Sequence, residues 1–273
     1  MSDVPPSERF DSTERYYAAH RPGYGEQTVS YLRDRFELDA NARVLDLGCG
    51  AGQLTLPLAA HAGTVVAMDP NEEMLRFGRQ RAAAWDVENV EWVVGSDAEV
   101  RAEMGPFRLT TMGRSFHWMD QERTLDRLRR ATEPGGGVAL VTDHEWLTKG
   151  RADWQAAVYD VVASFLDDLP QRVDPEAVTY DDPWSEKLAT FGFTDVAEVS
   201  FAVEREWSVD GVVGYVLSLS FASPARFGDD VGAFKAALRD RLAEFDRETF
   251  TQRATVEVVA GERVVTDDVG AVD

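Results

Sequence analysis

Three short acidic segments hold the residues whose types and spacing could do chemistry. The first, VLDLGCGAGQ, runs from Val44 to Gln53. Gly48, Gly50 and Gly52 let a backbone turn sharply and approach a ligand closely. A helix starting after them offers free N–H groups. Such a turn serves a dinucleotide, a cationic cofactor, or the fold alone. Two residues discriminate. A G-x-G-x-x-G/A fingerprint begun at Gly48 puts Gln53 where its last small residue should stand. Asp46 closes the preceding apolar run, and a carboxylate there repels a pyrophosphate. S-adenosylmethionine (SAM) carries an ammonium and a sulfonium and no phosphate, so the same charge suits it. A purely structural Asp46 would cap the turn.

The second segment, VVAMDPNEEML, spans Val65 to Leu75. Asp69 stands close to the spacing of about 20 residues at which an acid meets a ribose diol. Two hydroxyl donors on one carboxylate give charge-assisted bonds. Capping of the following helix fits Asn71 better than Asp69. Met74 has the residue type of a core position as much as of a cofactor contact. The third, VEWVVGSDAE, spans Val90 to Glu99. There Asp97 is placed to accept from an adenine amino group and the Ala98 N–H to donate to a ring nitrogen. Alone, this third segment is an acidic turn after a strand; its register with the other two points to the cofactor.

Elements that must position these residues alternate along the first half. Strands are predicted at Arg43–Leu47, Thr64–Met68, Val90–Val94, Phe107–Met112 and Val138–Thr142, the last after a turn at Pro134 and three glycines. Helices are predicted at Gln53–His61, Glu72–Trp85 and Gln121–Thr132. The alternation implies a doubly wound, mostly parallel α/β sheet whose strand C-termini share one edge, where ligands bind. From Glu145 the pattern changes. Helices are expected at Asp153–Leu169 and Ser185–Phe191, a strand at Val196–Val203, mainly helix over Ser208–Phe250, and two terminal strands at Thr255–Val259 and Glu262–Val265. The division expected is N-terminal cap helices at 1–42, a core at 43–144, and helical lid insertions with the remaining strands at 145–273, all in one compact unit.

With these segments in view, the chain resembles class I SAM-dependent methyltransferases of the type 11 group. GCGAGQ matches the family's glycine motif, MDPNEEML its ribose-binding segment and GSDAE its adenine-binding turn. RSFHWMD, Arg114 to Asp120, and LRRATEPGGGVAL, Leu128 to Leu140, match the segments around strands four and five. The likeness is specific over Arg43 to Thr142. YYAAHRPGY, Tyr16 to Tyr24, and WSVDGVVGYVLSLS, Trp207 to Ser220, are similar to the trans-aconitate-methyltransferase-like subgroup. The resemblance implies a seven-stranded Rossmann-like methyltransferase fold with a helical lid. It also implies SAM contacts from Tyr17, Arg21, Asp46, Gly48, Gly50, Gln53, Asp69, Pro70, Met74, Asp97, Ala98, Glu99 and Arg114. Phe107 is followed by Arg108 where the family commonly has aspartate, a position expected to point away from the cofactor.

Methyl transfer from a sulfonium is an in-line displacement, so the protein supplies orientation, proximity and desolvation. A general base is needed only when the nucleophile arrives protonated. His117 and Trp118 follow strand four, which makes His117 the candidate base or acceptor ligand and Trp118 a pocket wall. Both would otherwise be a packing pair under the lid. Tyr16, His144 and Trp146 are the further acceptor-side candidates. Oxygen is the favoured acceptor atom, a carboxylate by the subgroup likeness. Carbon or nitrogen transfer to a metabolite and a non-catalytic SAM-binding protein are the alternatives.

Composition narrows the partners. The 273 residues hold one cysteine, Cys49, which excludes an internal disulfide. No His, Cys, Asp or Glu cluster has metal-ligand spacing. No apolar stretch is long enough to span a bilayer, and the N-terminus has no apolar signal core, which leads to an expectation of a cytoplasmic protein. With 49 acidic against 28 basic residues the net charge is −21, and lysine occurs only at 149, 187 and 235. A nucleic-acid binder needs a basic footprint that is not evident here, so a small-molecule methyl acceptor is expected. The sequence does not set an oligomeric state. The acidic, lysine-poor chain fits a halophile, because at 1 M salt the Debye length falls to about 3 Å and like surface charges repel little; the alternative is a merely acidic, arginine-rich protein from a GC-rich genome. Thermal unfolding in KCl tests this: the midpoint should climb from low salt to molar salt, and a midpoint that drops counts against a halophilic origin.

Overall fold

The computed structural model describes residues 12–143, 147, 152–167, 169 and 183–264. Two helices lead in, α1 (Glu14–His20) and α2 (Glu26–Arg35). The winding then runs β1 (Arg43–Leu47), α3 (Thr55–Ala59), β2 (Thr64–Asp69), α4 (Glu72–Ala84), β3 (Val90–Val94), β4 (Phe107–Gly113), α5 (Gln121–Ala131) and β5 (Thr132–Asp143). The rest is α6 (Asp153–Phe165), α7 (Trp184–Thr190), β6 (Phe193–Ser208), α8 (Val209–Leu217), α9 (Pro224–Phe227), α10 (Val231–Ala243) and β7 (Thr249–Arg263).

The seven strands form one sheet in the order β3-β2-β1-β4-β5-β7-β6. The pairs from β3 to β5 are parallel, and β7 runs antiparallel to both β5 and β6. This is the Rossmann-like arrangement expected, with the order reversing between β1 and β4. Central strands buried on both faces are mainly apolar, and so are β1 and β2 apart from the buried Asp46: Val44, Leu45, Val65, Val66 and Ala67 are at most 1% exposed. One face packs Leu32 and Phe36 of the α2 end with Leu58 of α3. The other face packs Leu125 and Leu128 of α5 with Leu188 of α7. A separate cluster joins α6, α8 and α10 through Trp154, Val158, Val216, Phe234 and Leu238, with Trp207 and Phe250 from the ends of β6 and β7. That cluster is the helical lid. Among the described residues no helix is long and apolar enough to cross a membrane.

Three boundaries differ from the sequence reading. The glycines after Pro134 do not end an element. Phe107 pairs with Thr132 and Leu109 with Gly137, so β5 bulges there and continues. The two terminal strands are one, β7, because Phe250, Gln252, Ala254, Val256, Val258 and Ala260 alternate inward without a break and Gly261 still pairs with Val138. β6 is longer than expected at both ends. Its outward positions carry charges such as Glu198, Glu204 and Glu206, which hide the strand from an apolar search.

β5 and β7 meet closely at a glycine. A Cβ at Gly137 would stand 2.2 Å from the Gly261 carbonyl oxygen and 2.5 Å from the Phe36 ring. Backbone cannot yield cheaply, so Gly137→Ala should lower unfolding free energy by about 1–3 kcal/mol, measured by denaturant titration. An unchanged midpoint would mean the two strands are freer to separate than their register shows.

Candidate active site

The reversal of strand order opens a cavity of about 690 Å3, its mouth included. Its floor is the glycine turn. Gly48, Gly50 and Gly52 have φ of 73°, 54° and 82°. A Cβ at Gly48 would meet the Ser115 Cβ at 2.4 Å, and one at Gly50 the Tyr17 ring at 3.1 Å. Parallel pairing of Leu47 with Met68 sets the turn beside the end of β2, and the Met68 carbonyl accepts from the Gly48 and Cys49 N–H groups.

Asp69 holds the turn. Its Oδ2 accepts from the Gly50 N–H at 2.8 Å and its Oδ1 from the Asn71 N–H at 2.9 Å. A carboxylate has about four acceptor positions, which leaves room for a vicinal diol. Asn71 caps α4 by accepting from the Met74 N–H at 3.1 Å, and its amide donates to Glu14 of α1 at 3.3 Å. Burial pushes the Asp69 carboxyl up to about 6, against the pull of the Asn71 and Gly50 N–H groups.

Asp46 sits behind the cavity wall. It is 1% exposed, and its oxygens accept from the Thr55 hydroxyl at 2.5 Å and the Thr111 hydroxyl at 3.0 Å. Burial raises it to about 6, opposed by those hydroxyls and reinforced by the charge of Asp69. Asp46, expected as a direct ligand, is thus absent from the cavity lining and bonded to Thr55 and Thr111 instead, because β1 is buried on both faces. Gln53 is likewise set back, its amide donating to the Tyr17 carbonyl at 3.3 Å.

On the β3 side, Asp97 lines the cavity and accepts from the Thr124 hydroxyl at 3.0 Å. Ala98 and Glu99 do not line it. They complete a capping box with Ser96: the Ala98 N–H donates to the Ser96 hydroxyl, and Glu99 accepts from the Ser96 N–H and hydroxyl at 2.7 Å. Local capping takes the polar groups that adenine would have used. Ser96 itself lines the cavity. Pro70 and Met74 line it as well, as do Tyr17, Arg114 and Trp118.

The acceptor side differs most from expectation. A short turn, Phe116–Trp118, follows β4. It sends Phe116 into the core at 1% exposure, Trp118 to the cavity and His117 out to solvent. The two rings lie 4.7 Å apart. His117, the candidate base, is exposed and is not among the residues that line the cavity. Tyr16 is also turned away, toward the lid, where its hydroxyl accepts from Lys235 at 2.8 Å and Arg15 at 2.9 Å. Burial raises its phenol, but those two cations outweigh it and the net direction is down. Arg21 does not line the cavity and lies over the Tyr17 and Tyr215 rings at 5.2 and 5.4 Å. His144 and Trp146 lie outside the described residues. Sequence reasoning missed Leu47, Ser96, Gly113, Ser115 and Met119 in the lining, although Ser96 belongs to the VEWVVGSDAE segment and Ser115 and Met119 to RSFHWMD. Arg108 points away from the site, as expected, pairing with Glu133 and Glu37.

Arg114 is the described cation in the lining. It holds φ 55°, its guanidinium lies over the Tyr24 ring at 5.0 Å, and it donates to Asp143 at 2.6 Å. The cavity thus has an acidic end at Asp69 and Asp97 and a basic wall at Arg114.

Residues 44–136 match a family described as methyltransferase domain. An uncharacterized methyltransferase-like protein of Schizosaccharomyces pombe is 26% identical over 207 residues, 75% of each chain. An uncharacterized methyltransferase of Mycobacterium tuberculosis is 30% identical over 172 residues, 62% of this chain and 65% of that one. Among solved structures, a protein of Anaeromyxobacter dehalogenans provisionally described as a type II methyltransferase aligns with a TM-score of 0.57 at 25% identity, over 89% of this chain and 98% of that one.

The raised carboxyls give a pH test of this cavity. As pH falls through about 6, Asp46 and Asp69 take up protons and lose the charge that attracts a cation. Titration calorimetry should show SAM affinity dropping from pH 7.5 to 5, with a slope approaching one decade per unit for each group lost. The ligand-free fold should respond oppositely. A folded carboxyl raised above its unfolded value gains protons first, so these two groups add stability as pH falls from above 6 toward 4. Affinity that is flat across this range would separate the acidic end from cofactor binding.

Proposed function

We propose that this SAM-dependent methyltransferase moves its methyl group to an oxygen of a small molecule, with a carboxylate as the favoured acceptor. The matched domain and a glycine cradle edged by carboxylates fit SAM as the cofactor. In this reading the turn at Gly48 and Gly50 underlies the methionine part. Asp69 accepts from the ribose hydroxyls, Asp97 faces the adenine, and Pro70 and Met74 pack its edge. Tyr17 covers the cofactor from α1.

One observation carries the choice of acceptor. The titratable side chains in the lining, among the described residues, are Tyr17, Asp69, Asp97 and Arg114. In this reading Asp69, Asp97 and Tyr17 serve the cofactor, and His117 is exposed. The acceptor side therefore offers a guanidinium rather than a base. A carboxylate arrives deprotonated and needs no base, and it forms a charge-assisted bond with arginine. The likeness of Tyr16–Tyr24 to the trans-aconitate-methyltransferase-like subgroup supports the same acceptor chemistry.

Bound SAM supplies an activated methyl carbon: the C–S bond breaks with its pair left on sulfur, and a lone pair of the acceptor oxygen forms the new C–O bond. The chain's own residues orient and desolvate. Arg114, expected from the family resemblance as a SAM contact, is assigned in this reading to the acceptor's charged end, and Trp118 and Met119 wall the path against water.

Incubation with SAM and separate sets of carboxylic acids, phenols and amines tests the reading. An acid should give acceptor-dependent S-adenosylhomocysteine release and a methylated product that mild base hydrolyses. A base-stable product would place transfer on carbon or nitrogen and sink the ester reading. The assigned cofactor register makes a separate demand: Asp69→Ala should weaken SAM binding by at least about tenfold, from the loss of charge-assisted bonds.

A further inference from the structure

Arg114 is a weak anion receptor if Asp143 cancels its charge. The two side chains are 10% and 3% exposed and pair at 2.6 Å. Seen from the cavity, a one-to-one buried pair is nearly neutral. A second guanidinium changes that balance. Arg205, in β6 and outside the cavity lining, donates through Nη1 to the same Asp143 Oδ2 at 2.6 Å, and its side chain is 12% exposed. Its Nη2 donates to the Gly23 carbonyl at 3.2 Å. Arg114, Asp143 and Arg205 together sum to one positive charge. The Tyr215 phenol of α8 senses the whole group. Burial raises it, Arg21, Arg114 and Arg205 oppose that, and Asp143 reinforces it. A buried excess of positive charge is costly to hold. Here it stands beside a cavity, in a chain of net charge −21.

We propose that Arg205 is a positioning residue that sets the acceptor's charge: by sharing Asp143 it leaves the Arg114 guanidinium net positive toward the cavity, so the site selects an anionic acceptor and releases the neutral ester. The inference rests on the carboxylate reading above. It adds a residue that never touches the acceptor, and a reason for product release. Methylation removes the charge that Arg114 holds, and only the acid keeps the attraction. Without Arg205 the pair of Arg114 and Asp143 loses its excess charge, and the preference for acid over ester narrows.

The test compares the 273-residue wild type, Arg205→Gln and Arg205→Lys, with SAM saturating and the monocarboxylates benzoate, phenylacetate and butyrate as acceptor probes. For whichever acid the wild type methylates, Arg205→Gln should raise KM about tenfold, the size expected for one partly screened charge. kcat should stay within about twofold, S-adenosylhomocysteine affinity should not move, and Arg205→Lys should remain close to wild type. The methyl ester should inhibit the wild type far more weakly than the acid binds, and Arg205→Gln should narrow that gap. An unchanged KM in Arg205→Gln overturns the proposal and leaves the carboxylate reading standing. A joint fall in kcat, cofactor affinity and thermal midpoint makes Arg205 a mere staple between β5 and β6 and overturns it too. Failure of the wild type to methylate any of the acids overturns the carboxylate reading and this inference with it.

Discussion

The bond from the Gly50 N–H to the Asp69 carboxylate is the constraint on which the site depends. It ties the turn after β1 to the end of β2, and it works only because those parallel strands pair in a register that ends them together. The turn needs positive φ at three positions, so glycine is required there. The same carboxylate accepts from Asn71, which caps α4 and reaches Glu14 of α1. One side chain therefore sets the cradle, the start of a helix and the approach of the N-terminal strap. Its charge is held at a cost, visible in the upward push that burial gives it.

The opposite wall is built on the same logic with the sign reversed. Asp143 ends β5 as Asp69 ends β2, but its neighbours are guanidiniums from β4 and from the distant β6. Arg114 takes a left-handed backbone conformation to point at it. Tyr24 and Tyr215 surround the group and exclude water, which strengthens each interaction within it. The lid meets this group through the Tyr215 ring of α8, which lies under the Arg21 guanidinium and is buried against the core.

How much of this was legible in the sequence follows from how local each feature is. β1 and β3 appear at their predicted limits, because short apolar runs between turn residues announce buried parallel strands. The cradle was legible for the same reason: Gly48, Gly50 and Asp69 act through backbone geometry close in the chain. Asp46 was placed correctly in its strand but one layer too near the ligand, since a strand buried on both faces gives no alternation to say which way its carboxylate points. His117 stands on a single short turn, where one residue decides between cavity and solvent, and spacing alone does not say which way it faces. Glu99 was claimed by its own cap, a competition that the S-x-x-E spacing at Ser96 already contained. Arg205 was invisible, because its partner lies 62 residues away and nothing in a charged, alternating strand marks one arginine as inward.

The two walls together suggest why a cavity should carry opposite charges at its ends. On the carboxylate reading, SAM arrives as a cation and the acceptor as an anion, and transfer neutralises both. Fixed carboxylates at Asp46 and Asp69 and fixed guanidiniums at Arg114 and Arg205 draw the reactants to their proper sides and hold them in line, an entropic advantage that costs no reorganisation during the step. Binding that is equal in ground and transition states would not speed the chemistry. The gain lies in orientation on the way in and in weakened attraction on the way out, when thioether and ester face charges that no longer have counterparts. A site of this kind discriminates reactants from products by charge alone, without needing a change of shape.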